Sequence, residues 1–246
     1  MAADVPGRQK VLAASLIFCV ASIFLLFDGL ILNKYVISTP TAMNWCGVMQ
    51  GLCWFIGFAV LIDWIVFDTF DEWGKSRRAL IGATLKLIAS AFFCVHPISS
   101  VIGYLSGVAP VGGPPLVGVP WSDLVGILFF HSGNCIDTVG MLPLFDTRKP
   151  FSTANLPVYG ISIYCLATWV LVAVNVVAYL LTPAPWGPGA ALSPAWGDFL
   201  GPGGILGFSL LLLGSIIWTA WAACHHAGSR IVMPPEPLLN VMPVVE

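Results

Sequence analysis

Polar side chains interrupt an apolar segment at residues 131–140, which read HSGNCIDTVG. His131, Asn134 and Asp137 follow one another at intervals of three residues, so on a helix they form one slowly turning stripe. Titratable or coordinating groups spaced about a helical turn apart are what a proton or ion path requires. The same side chains could instead hydrogen-bond to neighbouring helices and hold them together. The stripe therefore predicts an ion path or a polar contact between helices, and both hypotheses stay open.

Charged and titratable residues in the apolar segments separate into two layers of depth. At about 1.5 Å of rise per residue, one layer lies roughly 8–14 Å from the helix ends on one side, and the other roughly 22–27 Å. The inner layer holds Asp63, Lys86 and Asp137, and the outer layer holds Asp28, His96 and His131.

The inner layer predicts an ion pair, because an unpaired charge inside a bilayer costs several kcal/mol. Lys86 lies on the third apolar segment, and we expect Asp137 on the fourth to be its partner. Asp63 is then expected to reach the interface. The alternative is that Lys86 extends its long side chain to the headgroups.

Two histidines at similar depth on adjacent segments, His96 and His131, could ligate a haem iron. Together with Cys94 and Cys135 they also supply the ligand types of a tetrahedral metal site. Cys94 and His96 are two residues apart, however, and point to different faces of one helix. We therefore predict no metal site and no cofactor, with haem as the alternative. No nucleophile elbow, HExxH, P-loop or dinucleotide-binding motif occurs in the sequence, so we expect no enzyme.

The composition places the chain among membrane proteins. Of its 246 residues, 58% are hydrophobic and only 9% are charged, whereas soluble domains have about 25% charged residues. The net charge of −2 gives no reason to expect nucleic acid as a partner. The seven cysteines all lie in apolar segments without CxxC spacing, which indicates buried free thiols rather than a disulfide framework.

Six segments have the roughly 20 apolar residues that a spanning helix needs. They cover residues 11–33, 45–67, 79–105, 122–145, 157–182 and 204–226. We therefore predict an all-α, multi-pass integral membrane protein with one domain over residues 1–246. Its six helices form three hairpins followed by a tail, over residues 11–68, 78–146, 157–228 and 229–246. The Gly- and Pro-rich connections 106–121 and 183–203 are not expected to continue their helices.

The second segment of each hairpin carries glycines about two turns apart. The three stretches read QGLCWFIGF (50–58), GILFFHSGN (126–134) and GFSLLLLGS (207–215). This pattern of paired apolar helices resembles the YrhK-like family of small bacterial membrane domains, here in tandem. The resemblance implies helical membrane hairpins, and it implies no activity and no functional residues.

Small residues on the predicted helices permit the close backbone approach that drives helix association in lipid. The residues concerned are Gly47, Gly51, Gly57, Gly133, Gly207 and Gly214. We expect them to pack against other membrane subunits or a second copy of the chain within the lipid bilayer. The leading functional hypothesis is thus a non-catalytic scaffold or accessory subunit of a membrane assembly. The alternative is a small transporter or channel for an ion, a proton or a solute that uses the polar stripe.

The topology can be tested directly, because eight of the ten lysine and arginine residues fall on one predicted side. They are Arg8, Lys10, Lys75, Arg77, Arg78, Arg148, Lys149 and Arg230, against Lys34 on the other side. By the positive-inside rule, both termini lie on the cytoplasmic or matrix-equivalent side of a plasma membrane or an organelle inner membrane. Reporters fused to either terminus should read as cytoplasmic, and one inserted in 106–121 should read as external. A terminus that reads as external would contradict the count of six spans.

Overall fold

The chain is an all-helical bundle in a computed structural model that describes residues 8–32, 40–68, 76–107, 120–182, 188–190 and 192–226. None of these residues forms a β-strand. The helices are α1 Arg8–Leu32, α2 Pro40–Asp63, α3 Arg77–Leu105, α4 Pro120–Met141, α5 Leu156–Leu181 and α6 Pro194–His226. A π-helical turn, Trp64–Asp68, extends α2, and 3₁₀ turns at Leu142–Leu144 and Thr153–Asn155 flank the connection from α4 to α5.

All six helices are long and apolar enough to cross a membrane. Among the described residues, the predicted helical class and the six helices long enough to span a membrane are therefore confirmed, and the chain has the character of an integral membrane protein. Its insertion and the sides on which the termini lie remain predictions. Lys34, Lys75, Arg230 and the tail 229–246 lie outside the described residues.

The helices form a closed ring. Each helix packs against its neighbours in sequence, and α6 packs against α1. We call the end where α1 begins and α6 ends the proximal end, and the opposite end the distal end. Because every helix has a neighbour on both sides, its remaining faces point either to the ring axis or outward. The ring therefore creates an interior that six helices can line.

A hydroxyl cluster centred on Ser215 joins the first helix to the last two. The Ser215 Oγ lies 2.9 Å from the Ser22 Oγ on α1 and 2.6 Å from the Tyr164 OH on α5. It also donates to the Leu211 carbonyl at 2.9 Å, within α6. Since no water is available in an apolar span, such hydroxyls need partners inside the protein. The cluster supplies them and helps to close the ring.

The six glycines that the sequence marks for helix association all face neighbouring helices of this same chain. A Cβ placed on any of them would come within 2.5–3.2 Å of an atom on the adjacent helix. The partners are Pro97 for Gly47, Cys94 for Gly51, Phe18 for Gly57, Gly82 for Gly133, Leu171 for Gly207 and Tyr164 for Gly214. Their small size thus serves contacts inside the ring.

The connection 183–203 differs from its prediction, because α6 begins at Pro194 and continues through Pro202. A proline at the first helical position loses only an N–H that has no intrahelical partner there. Pro202 removes one further hydrogen bond, which a membrane helix tolerates when neighbouring groups satisfy the freed carbonyl. The Gly and Pro content of this segment therefore did not prevent a helix. In the other connection, 106–121, residues 108–119 lie outside the described residues.

We expect Gly133→Ala to destabilise the bundle, because the new Cβ would lie 2.7 Å from the Gly82 carbonyl oxygen and 2.8 Å from the Lys86 Cγ. A backbone carbonyl cannot yield without moving α3, and such overpacking costs about 1–3 kcal/mol. Thermal unfolding in mild detergent would measure the loss.

The matched control is Gly204→Ala on α6, where the nearest atom, the Phe208 Cε2, would be 3.7 Å from the new Cβ. Here alanine is expected to be neutral or to stabilise the helix by up to about 1 kcal/mol. Equal losses in the two variants would contradict a special contact at Gly133.

Candidate functional site

The distal half of the ring encloses a cavity of about 300 Å³, and all six helices contribute side chains to its wall. Most of the wall is apolar, with Trp54 and Phe130 among the aromatic residues that form it. The polar side chains come from five different helices: Asp28, Gln50, His96, Ser100, Asp123 and Asn175. We refer to this space as the distal cavity.

Acidic groups outnumber basic groups among the residues that line the distal cavity. The Nδ1 of His96 lies 3.0 Å from the Oδ2 of Asp123, so these two residues form a hydrogen-bonded pair. Asp123 lies in the first turn of α4, where the helix dipole stabilises a carboxylate. Asp28 contributes a second carboxylate from α1. With both carboxylates ionised, a protonated His96 can neutralise only one of them.

A second and smaller cavity, of about 30 Å³, lies in the proximal half of the ring. Lys86 and Asp137 both line it, and the Lys86 Nζ donates a hydrogen bond to the Asp137 Oδ2. The two side chains are only 7% and 2% exposed. The Lys86 Nζ also lies 5.4 Å from the centroid of the Phe58 ring, where the π face attracts a cation. The predicted ion pair between Lys86 and Asp137 is thus confirmed.

Two further polar atoms lie at this proximal cavity. The Asn134 Nδ2 and the Asp137 Oδ1 are buried and make no hydrogen bond to any part of the chain that the structure describes. Both residues line the cavity. A space of this size accommodates a single water, which could accept from the amide and donate to the carboxylate. The proximal cavity can therefore hold one water-sized polar species beside the ion pair.

A layer of aromatic rings separates the two cavities. Phe130 lines both of them. Its ring centroid lies 5.3 Å from that of Trp54 and 5.7 Å from that of Phe58, in edge-to-face geometry. Phe18 adds a stacked contact with Trp54 at 5.3 Å. These four rings therefore lie between the distal cavity and the Lys86–Asp137 pair.

The polar stripe of α4 does not form one continuous path. Asn134 and Asp137 line the proximal cavity, but His131 lines neither cavity. Residues three apart drift by about 60° around a helix, so the stripe turns by about 120° over its length. His131 faces α5 instead, where its Nδ1 lies 2.9 Å from the Thr168 Oγ1.

The outer layer predicted by depth is likewise divided between two places. Asp28 and His96 share the distal cavity, whereas His131 lies at the contact between α4 and α5. Haem ligation by both histidines stays a prediction. Their separate partners, Asp123 for His96 and Thr168 for His131, do not support it.

A cluster of possible metal ligands surrounds His131. The Cys135 Sγ lies 3.3 Å from the His131 Nε2 and 3.8 Å from the Cys165 Sγ. The ligand atoms of all three residues lie within 4.8 Å of one another. From the sequence, His131 and Cys135 were considered only together with Cys94 and His96, and no metal site was predicted. Cys165 was not among these candidates, because only the register of α4 against α5 brings it to the cluster.

Asp63 occupies a different place from the buried pair. The Lys10 Nζ donates hydrogen bonds to both Asp63 and Asp68 at the proximal end, where the Asp63 side chain is 46% exposed. The π-helical turn that follows Asp63 places residues five apart on similar sides of the helix. Asp63 is therefore held by Lys10. From the sequence, Lys10 was counted only among the basic residues that predict the orientation in the membrane.

Four polar residues of the distal cavity were not predicted from the sequence: Gln50, Ser100, Asp123 and Asn175. Ser100 follows Ser99 near the end of the third apolar segment, where nothing in the sequence distinguishes it. Asp123 lies one residue inside a predicted helix boundary, so its depth could not distinguish it from a loop residue. Gln50 and Asn175 are uncharged and each occurs singly in an apolar run. An uncharged polar residue in such a run is the one signal that could have indicated them.

The buried ion pair yields a stability prediction. Lys86→Met should destabilise the fold by roughly 3–5 kcal/mol, because it leaves the Asp137 carboxylate buried without its counter-charge. Adding Asp137→Leu should recover much of that loss. Unfolding of the single and double variants in mild detergent provides the measurement.

Lys10→Met is the matched control, since Lys10 is also paired but its side chain is 41% exposed. Water can solvate the carboxylates that Lys10 leaves, so a much smaller loss is expected. If the Lys86 and Asp137 changes proved additive, the two side chains would not interact energetically.

Comparison with known proteins gave no relative: no family model matches the chain, and neither a curated protein nor a solved structure is significantly similar to it. The likeness to YrhK-like hairpins therefore stays an expectation.

Proposed function

We propose that the protein binds a small organic cation in its distal cavity and transports it across the membrane. The observation that supports this proposal is an acidic cavity on the axis of a closed six-helix ring. With Asp28 ionised, a protonated His96 paired with Asp123 leaves one negative charge uncompensated. A cationic solute supplies the missing charge, whereas an anion would meet repulsion.

The size and walls of the distal cavity narrow the solute class. Its volume of about 300 Å³ is at the lower end of the roughly 300–1,000 Å³ of ligand pockets. Aromatic side chains of Trp54, Phe93, Phe130 and Phe208 face this space. A cation over such a ring gains about 0.5–2 kcal/mol. A compact ammonium or guanidinium compound with some apolar surface therefore fits better than a sugar.

The proximal cavity supports translocation rather than binding alone. It lies on the far side of Phe130 from the distal cavity, and both contain an acidic residue. A cation that passed the aromatic layer would compete with Lys86 for Asp137. Exchange of partners at this carboxylate would give the solute a second site if the cavity of about 30 Å³ widened and the displaced Lys86 lost its proton, since a buried ammonium without a partner is costly. Passage then requires the aromatic rings to move.

The glycine faces no longer support the accessory-subunit hypothesis. It relied on glycine faces that were expected to meet a partner, and each of those glycines contacts a neighbouring helix of the same chain. Association with other subunits remains a prediction of its own. The transport hypothesis no longer uses the whole stripe of α4, but it keeps Asn134 and Asp137 at the proximal cavity.

Choline is a suitable probe, because the neutral 3,3-dimethylbutan-1-ol has nearly the same shape without the charge. We expect choline, but not the neutral compound, to stabilise the detergent-solubilised protein against heat. Asp28→Asn should weaken choline binding at least about tenfold, which corresponds to about 1.4 kcal/mol. Proteoliposomes should exchange radiolabelled choline faster than empty vesicles do.

Asp198→Asn is the control for the loss of one negative charge. Asp198 lies in α6 near the distal end, is exposed and does not line the distal cavity. Choline affinity should be unchanged in this variant. Equal binding of choline and its neutral analogue would contradict the proposed charge recognition, and binding without any exchange would contradict transport. Methylammonium and guanidinium, tested in the same way, would define the solute class.

A further inference from the structure

We propose that His131, Cys135 and Cys165 form a zinc site that links α4 to α5. This cluster lies apart from both cavities, so the inference does not depend on the proposed transport function. His131 and Cys135 are one helical turn apart on α4, and Cys165 faces them from α5.

Two of the three spacings between the ligand atoms match the edges of a tetrahedron around zinc. Two sulfurs that are each about 2.3 Å from a tetrahedral ion stand about 3.8 Å apart, and a sulfur and an imidazole nitrogen about 3.5 Å apart. The Cys135 and Cys165 Sγ atoms are 3.8 Å apart, and the Cys135 Sγ is 3.3 Å from the His131 Nε2. The ligand atoms of all three residues lie within 4.8 Å of one another, so small side-chain rotations would bring the third spacing to that of a shared ion.

Thr168 orients the His131 ring and selects the tautomer that zinc binding requires. Its hydroxyl can donate to the carbonyls of Tyr164 and Cys165, each 3.0 Å away. It can then accept a hydrogen bond from the His131 Nδ1–H, across 2.9 Å. The proton is thereby held on Nδ1, which leaves the Nε2 lone pair available to a metal, 3.3 Å from the Cys135 Sγ. Such a hydrogen bond from the second ring nitrogen is the usual support of a metal-bound histidine.

Charge favours zinc over monovalent copper. Zn²⁺ with two thiolates and a neutral imidazole has no net charge, whereas Cu⁺ with the same ligands has a charge of −1. The cluster lies in the middle of α4 and α5, both apolar spans, where a net charge is costly. Binding converts the two thiols to thiolates and releases their two protons to the solvent. Three protein ligands leave one coordination position for a water or another small ligand.

Cobalt(II) and zinc titrations of the purified full-length chain test the site, after chelation of metals and reduction of thiols. We expect one equivalent of Co²⁺ to produce thiolate-to-cobalt charge-transfer absorption in the near ultraviolet, and Zn²⁺ to remove it. Cys165→Ser should lose this band. Cys53→Ser, which alters a half-buried cysteine of α2 outside the cluster, should keep it.

Thr168→Val keeps the shape of the side chain but cannot accept a hydrogen bond from His131. We expect it to bind Co²⁺ about 10–100-fold more weakly. The cobalt-thiolate band should keep its wavelength once the site is saturated, since the three ligands are unchanged. This variant keeps the proposal testable even if Cys165→Ser fails to fold. Unchanged affinity in Thr168→Val would contradict the positioning role of Thr168.

Three results would overturn the zinc site. The first is a cobalt-thiolate band that survives Cys165→Ser. The second is uptake of Cu⁺ without any uptake of Zn²⁺ or Co²⁺. The third is a Cys135–Cys165 disulfide found by mass spectrometry of the native protein, combined with no metal uptake after its reduction. That bond would require the two sulfurs to approach from 3.8 Å to about 2.05 Å.

Discussion

In a bilayer, the hydrocarbon around six such helices would offer no water to a polar side chain, so a polar side chain there needs a partner within the protein. Closure of the ring supplies several of these partners. Ser215 joins the hydroxyls of α1 and α5, and Lys86 meets Asp137 across the contact between α3 and α4. The Lys86–Asp137 pair in turn requires α3 and α4 to approach closely, which Gly82 and Gly133 permit. The glycine contacts and the polar contacts thus depend on each other.

The same requirement organises the interior. Polar groups from several helices are gathered around the two cavities, and aromatic rings fill the space between these cavities. Phe130 lies at the centre of that aromatic layer and contributes to both cavities. In the proposed transport cycle, this layer separates an acidic cavity open to exchange of solute from a carboxylate already occupied by Lys86. The acidic cavity and the aromatic layer beside it would then give the protein both selectivity for cations and a closed pathway.

Charge and depth along single helices were predictable from the sequence. Lys86 and Asp137 were expected to pair because both are charged, similar in depth and on consecutive spans, and burial makes an unpaired alternative costly. The rotation of side chains around the ring was not predictable. His131 shares the depth of Asp28 and His96, yet it faces α5, and Cys165 approaches it from a helix whose register the sequence does not reveal. Asp123 was missed because a helix boundary is the least certain feature of a span.

The sequence by itself determined the helical class, the six apolar segments and the separation of basic residues to one predicted side. These features are local, because hydrophobicity and backbone hydrogen bonding act along each segment independently of its neighbours. Only the tertiary structure decided which side chains face the axis, which face a neighbour and which face outward. The glycines were expected to favour helix association in general, and only the closed ring shows that they contact neighbouring helices of the same chain. The distal cavity and the His131–Cys135–Cys165 cluster arise only where helices meet, so a pattern within any single helix could not reveal them.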